Sequence, residues 1–147
     1  MPLTRAQVQR HQRNIDVAGI GVEGQERLLG SSVLVIGAGG LGSAALPYLA
    51  AAGVGRIGII DGDAVELTNM QRQVLHTDLG RNKAESAAER LRLLNTDVTV
   101  DEYPEYLTAE RARELFVQYD LVMDCTDTYG AKYLLSDAAE AVGALAG

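Results

Sequence analysis

The sequence predicts an α/β fold, a Rossmann-like parallel sheet with helices on both faces. Three observations carry this. Val33-Leu-Val-Ile36 is a four-residue apolar run, three of its members β-branched, as in a strand buried on both faces. It runs into Gly37-Ala-Gly-Gly-Leu-Gly42, where Gly37, Gly39 and Gly42 fall at G-x-G-x-x-G spacing. After that, apolar runs alternate with helical patterns to the end of the chain.

Taken in order, Thr4 to Asp16 reads as a polar, basic helix with Thr4 as its N-cap. Glu23 to Leu29 is a short helix ended by Gly30. Residues 1–30 are thus an N-terminal helical segment, and residues 31–147 a nucleotide-binding Rossmann-like domain. In the glycine cluster, Gly37 permits a tight turn, Gly39 lets backbone approach a phosphate, and Gly42 lets the helix Leu41 to Ala52 pack near the strand. The N-terminus of that helix would face an anion with free N–H groups and a positive dipole end. The second strand is Arg56 to Ile60, ended by Asp61 about 20 residues after the glycines, where a dinucleotide fold places a ribose-binding acid. A polar segment follows, Asp61 to Gln73, where a simple crossover would begin its helix at once.

Gly80 to Asn95 is a helix, with Ala84, Ala87, Ala88, Leu91 and Leu94 at helical spacing. Val98 to Tyr103 alternates like a half-buried strand. Thr108 caps a helix from Ala109 to Gln118, Leu121 to Met123 is a fourth strand, and Ala131 to Val142 is a last helix. The doubly wound order is 3-2-1-4, which makes strands 1 and 4 neighbours at the switch point. One crevice then gathers the glycine loop, Asp61 and Asp127.

A triphosphate there needs cations near its oxygens and Mg²⁺ held by a carboxylate. Arg13, Arg72, Lys83 and Asp127 are the candidates. From spacing alone, Lys83 is equally a surface lysine, and Asn69 has a plainer alternative as the cap of a short helix. Arg72 is also a partner for Asp61 or Asp63, and Asp127 a cap for the last helix. His11 and His76 have no partners at metal-ligand spacing and read as surface histidines. Cys125 reads as a small apolar residue.

The net charge of −7 argues against non-specific binding to nucleic acid or an anionic membrane. A single cysteine excludes an internal disulfide and a cysteine-rich zinc site. The sequence has no bilayer-length apolar segment and no signal-peptide core, so a cytoplasmic location is the expectation.

An ordered set of motifs resembles the ThiF/MoeB/HesA family, relatives of the ubiquitin-activating E1 enzymes. The set is Arg13-Asn-Ile15, Gly37 to Gly42, Ile60-Asp-Gly-Asp63, Thr68-Asn-Met-Gln-Arg-Gln73, Gly80-Arg-Asn-Lys83 and Asp124-Cys-Thr-Asp127. The resemblance implies a homodimeric adenylating enzyme that uses ATP and Mg²⁺. In that chemistry the C-terminal glycine carboxylate of a ubiquitin-like sulfur carrier attacks the α-phosphate and pyrophosphate leaves. It implies that Gly39 and Gly40 lie against the nucleotide, that Asp61 binds the ribose, and that Asn69, Arg72 and Lys83 reach the phosphates. It further implies that Asp127 holds Mg²⁺ and that Arg13 acts across a dimer interface. Asp63, Thr68 and Thr128 complete the implied nucleotide set. Thr128 stands where the family commonly has asparagine, and Lys132 where it has arginine, whose planar fork a lysine cannot reproduce. The resemblance also implies that the sheet is truncated after the fourth strand and its helix, that residues 31–147 are an incomplete domain, and that the fourth strand has an unpaired apolar edge; the family's zinc cysteines have no counterparts, so no zinc is expected. Three alternatives stay open: a relative that adenylates tRNA threonylcarbamoyladenosine for dehydration, a silent nucleotide-binding or dimerisation module, and an NAD(P)-dependent oxidoreductase.

Overall fold

The computed structural model describes residues 2–127, 136–137, 139–140, 143 and 145–146. The helices are α1 (Arg5–Arg10), α2 (Gln12–Ile15), α3 (Gly21–Leu29), α4 (Gly40–Ala52), α5 (Lys83–Leu94) and α6 (Ala109–Phe116). The strands are β1 (Ser32–Ile36), β2 (Arg56–Ile60), β3 (Thr99–Tyr103), β4 (Leu121–Asp124) and β5 (Leu145–Ala146). They form one sheet in the order β3-β2-β1-β4-β5, and every pairing is parallel.

The order of the first four strands is the one that doubly wound connectivity demands. The outer edge of β4 differs from expectation. It is not bare, because Leu145 and Ala146 pair with Leu121 and Val122. Two residues carry too little pattern to be read as a strand from sequence. Of the expected last helix, residues 136–137 and 139–140 are described and helical; the rest, with Thr128 and Lys132, lies outside the described residues.

Alternate residues of β1 go to opposite faces, as a pleated strand requires. Val33 and Val35 join Ile57, Ile59, Leu46 and Ala50, with Ala84, Ala87, Ala88 and Leu91 of α5, in one apolar cluster. Leu34 and Ile36 join Ile60, Ala112, Leu115, Phe116 and Val122 in the other. Helices α4 and α5 thus cover one face and α6 the other.

The N-terminal segment is two short helices rather than one, broken at His11. Thr4 caps α1 with a full capping box: its hydroxyl accepts from the Gln7 backbone N–H, and the Gln7 side chain accepts from the Thr4 backbone N–H. His11 is buried, not superficial, because the segment docks on the C-terminal end of α4. An added Cβ at Gly53 would stand 2.9 Å from the His11 ring. The buried Gln25 amide donates to the Ala52 carbonyl at 2.8 Å. Since α4 runs back from the carboxyl edge of the sheet, this contact lies at the amino edge.

Candidate functional site

Strands β1, β2 and β4 end in register, with Ile36 opposite Ile60 on one side and Asp124 on the other. The ladder runs one residue further: the Gly37 N–H donates to the Ile60 carbonyl, and the Cys125 N–H to that of Ile36. Their carboxyl ends open on a cavity of about 640 Å³, within the range of small-molecule sites. Gly37, Gly39 and Gly40 lie on one wall, Asp61 and Asp63 on a second, Arg72, Gln73 and Lys83 on a third, and Glu105, Tyr106, Cys125, Thr126 and Asp127 on a fourth.

The glycine loop takes its shape for two physical reasons. Gly37 has φ +93°, where side chains are strained, and an added Cβ would lie 2.9 Å from the Cys125 carbonyl oxygen. A Cβ on Gly42 would collide with the Gly37 carbonyl oxygen, so glycine there lets α4 start close under the strand.

Asp61 organises the opposite wall. Its Oδ2 accepts from the Ala38 N–H and its Oδ1 from the Asp63 N–H, both at 2.8 Å. Asn82 caps α5 by accepting from the Ala84 and Glu85 N–H groups, and its amide donates to the Asp61 carbonyl at 2.9 Å. Lys83, the first residue of α5, is therefore delivered straight into the cavity. Its side chain is only 7% exposed, and its Nζ stands 4.0 Å from Asp63 Oδ2. A buried ammonium with so distant a carboxylate favours a further anion beside it.

The structure brings Gly39, Gly40, Asp61, Asp63, Arg72, Lys83 and Asp127 together on this one cavity. Thr68 and Asn69 do not line it; both lie in a 3₁₀ turn, Leu67–Asn69. Their backbone helps to place Arg72 and Gln73, whose N–H groups donate to the Asn69 carbonyl. Arg72 Nη1 donates to the Thr68 carbonyl at 3.5 Å, and the alternative of a pairing with Asp61 or Asp63 is not realised. Arg13 is exposed on α2, outside the cavity lining. Cys125 packs in the apolar cluster beneath the loop.

Three side chains escaped the sequence reading. Tyr106 covers Gly62 with its ring and donates to Asp63 Oδ1 at 2.6 Å, which raises its phenol pKa. Its position just past the carboxyl end of β3 was the available signal. Gln73 is buried with its amide against Gly39. His76, expected at the surface, is 2% exposed and bonded on both ring nitrogens. Helical or strand periodicity says nothing about such a segment, so its burial had no sequence signature.

No group of three or more His, Cys, Asp or Glu side chains suited to a metal occurs among the described residues. One exposed carboxylate, Asp127, still suits Mg²⁺, which usually takes one or two carboxylates and completes its shell with substrate phosphates and water. The cavity also fits a polyanion: a glycine wall, a buried ammonium and a guanidinium face it. No helix among the described residues is long and apolar enough to cross a membrane.

Comparison with known proteins agrees with this geometry. The chain is 50% identical over 143 residues to the adenylyltransferase and sulfurtransferase MOCS3 of Arabidopsis thaliana, covering 96% of this chain and 31% of that protein. It is 48% identical over 145 residues to the sulfur carrier protein adenylyltransferase of Thermus thermophilus, covering 97% and 54% respectively. The chain thus spans about half or less of these relatives. Among solved structures, the tRNA N6-threonylcarbamoyladenosine dehydratase TcdA of E. coli in complex with ATP superposes with a TM-score of 0.91 at 28% identity, covering 99% of this chain and 60% of that one. The ThiF family model matches residues 11–145, and the chain belongs to the ThiF family.

Proposed function

We propose that the cavity binds Mg-ATP and that this chain carries the nucleotide site of an adenylyltransferase acting on the C-terminal glycine of a ubiquitin-like sulfur carrier. The observation that supports it most is the convergence of Gly39, Gly40, Asp61, Arg72, Lys83 and Asp127 on one cavity. A dehydrogenase shares the glycine loop and Asp61 but has no need of Arg72 and Lys83 beside them. In the proposed reaction the glycine carboxylate attacks the α-phosphate, an acyl adenylate forms, and pyrophosphate leaves.

The chain's own residues have separable tasks in this reading. The loop N–H groups and the N-terminus of α4 hold phosphate oxygens. Asp61 orients the ribose. Arg72 and Lys83 offset the charge that builds as pyrophosphate separates. Asp127 would hold Mg²⁺, which when bound neutralises phosphate oxygens and polarises the α-phosphate. Asp63 stays within reach of Lys83, Thr68 and Asn69 act through their carbonyls, which hold Arg72, and Thr128 completes the nucleotide contacts. Arg13, outside its own chain's cavity lining, serves the phosphates of a second copy in a homodimer.

A second reading has a specific support, the 0.91 TM-score with the E. coli tRNA dehydratase. It keeps the adenylation and replaces the carrier by a modified tRNA. The sulfur-carrier reading is preferred because the Thermus relative, at 48% identity, is named for it.

ATP–pyrophosphate exchange separates the two. Exchange that requires a carrier ending in Gly-Gly supports the main reading, and exchange that requires tRNA supports the second. ATP binding with no exchange under either condition contradicts both. Asp127→Ala should abolish Mg-dependent exchange, at least 100-fold as an order of magnitude for a metal-holding carboxylate; wild-type rates would remove Asp127 from the mechanism.

A further inference from the structure

We propose that His76 is a positioning residue of the nucleotide site, whose neutral imidazole fixes the glycine loop relative to the helix that carries Lys83. The inference rests on the reading that the cavity takes ATP. His76 is not itself among the residues that line the cavity.

His76 Nε2 lies 2.5 Å from the Ala38 carbonyl oxygen. A carbonyl only accepts, so Nε2 carries the proton. The neutral ring then accepts at Nδ1 from the Ser86 hydroxyl, 2.9 Å away. Ser86 is on α5, three residues after Lys83 and on the neighbouring turn. One side chain therefore joins the middle of the glycine loop to the start of α5.

The far side of the same loop residue is held as well. Ala38, fully buried, donates its N–H to Asp61 Oδ2 at 2.8 Å. Its peptide groups are thus gripped from two directions, by Asp61 and by His76. Gln73, from the same segment as His76, packs its amide against Gly39. The loop that would cradle phosphates stands on Gln73 and His76, and glycines have no side chains of their own to hold it. Without His76 the Ala38 carbonyl would be left buried without its donor, and the loop would be free to shift against Lys83.

The charged groups acting on His76 agree with a neutral ring. Burial lowers its pKa most and Lys83 adds to the lowering, while the Ala38 carbonyl and Asp61 oppose it.

The test is calorimetric titration of Mg-ATP into the full chain, with thermal melts alongside. His76→Leu should bind ATP roughly tenfold more weakly, the size of one lost hydrogen bond to a buried carbonyl. His76→Gln keeps an N–H donor at the reach of Nε2 and should recover most of that loss. Ser86→Ala should weaken ATP about threefold. A residue that only supports the fold would lower the melting temperature and leave the affinity of the folded protein unchanged. Wild-type affinity in folded His76→Leu, or equal losses for leucine and glutamine, would overturn the role. If His76→Leu does not fold, Ser86→Ala decides: threefold weakening supports the role and unchanged affinity overturns it. Failure of the wild-type chain to bind ATP would instead sink the reading of the cavity, and this role with it.

Discussion

Single residues set the site, and several of their effects are measurable without a partner protein. Gly37→Ala places a Cβ in the left-handed region and 2.9 Å from the Cys125 carbonyl oxygen. It should cost about 1–3 kcal/mol of stability and weaken ATP, as chemical denaturation and titration would show. Stability should also follow the buried histidines. Burial lowers the pKa of both His11 and His76 below the ordinary 6.5. For His11, Arg10 adds to the lowering and Asp97 opposes it. Well above pH 6.5 both rings are neutral folded or unfolded, so stability is flat. As pH falls through that value, the unfolded chain takes up protons that the folded chain refuses, and stability drops. Melting temperatures between pH 8 and pH 5.5 should show this fall, with a shallower slope in His76→Gln; equal slopes would contradict a buried neutral His76. These two rings also mark where sequence reading stopped. His11 and His76 have no pattern that distinguishes burial from exposure, because burial there depends on Gly53 and Ala38, residues 42 and 38 positions away.

Elements were more legible where one force dominated. The apolar run of β1, the glycine loop and the alanine-rich face of α5 each bury a repeating surface, and periodicity reports such surfaces directly. Boundaries were less so. The helix read from Gly80 begins at Lys83, because Asn82 is its cap and Gly80 has φ +81°. That shift matters for function, since it makes Lys83 the first helical residue. Asn82→Ala removes the cap and the bond to the Asp61 carbonyl together. It should destabilise the fold by about 1–2 kcal/mol and weaken ATP through Lys83. A stable variant with unchanged ATP affinity would show that the cap does not place the lysine. The strand β5 was illegible for a different reason: two residues define no alternation, and its pairing with β4 is a property of the whole sheet.

At the scale of the whole molecule, the topology explains why seven of the residues singled out from sequence meet. Parallel strands with helical returns bring β1, β2 and β4 to one carboxyl edge, where their loops have nowhere else to converge. The same topology puts the N-terminal helices at the opposite, amino edge, so Arg13 cannot be assigned to its own chain's cavity by this geometry. A dimer in which Arg13 crosses over predicts complementation. Mixed Arg13→Ala and Asp127→Ala chains should regain part of the exchange activity that each lacks alone, and heterodimers that form without recovery would refute the crossing.

The most direct test of the central claim is calorimetric titration of Mg-ATP into the wild-type chain and into Lys83→Met. Wild type should bind one ATP per chain, NADH should not displace it, and the variant should bind at least tenfold more weakly, as roughly expected for a lost charge-assisted contact. Equal affinity in the two proteins, or preference for NADH, would contradict a triphosphate site at the carboxyl edge of this sheet.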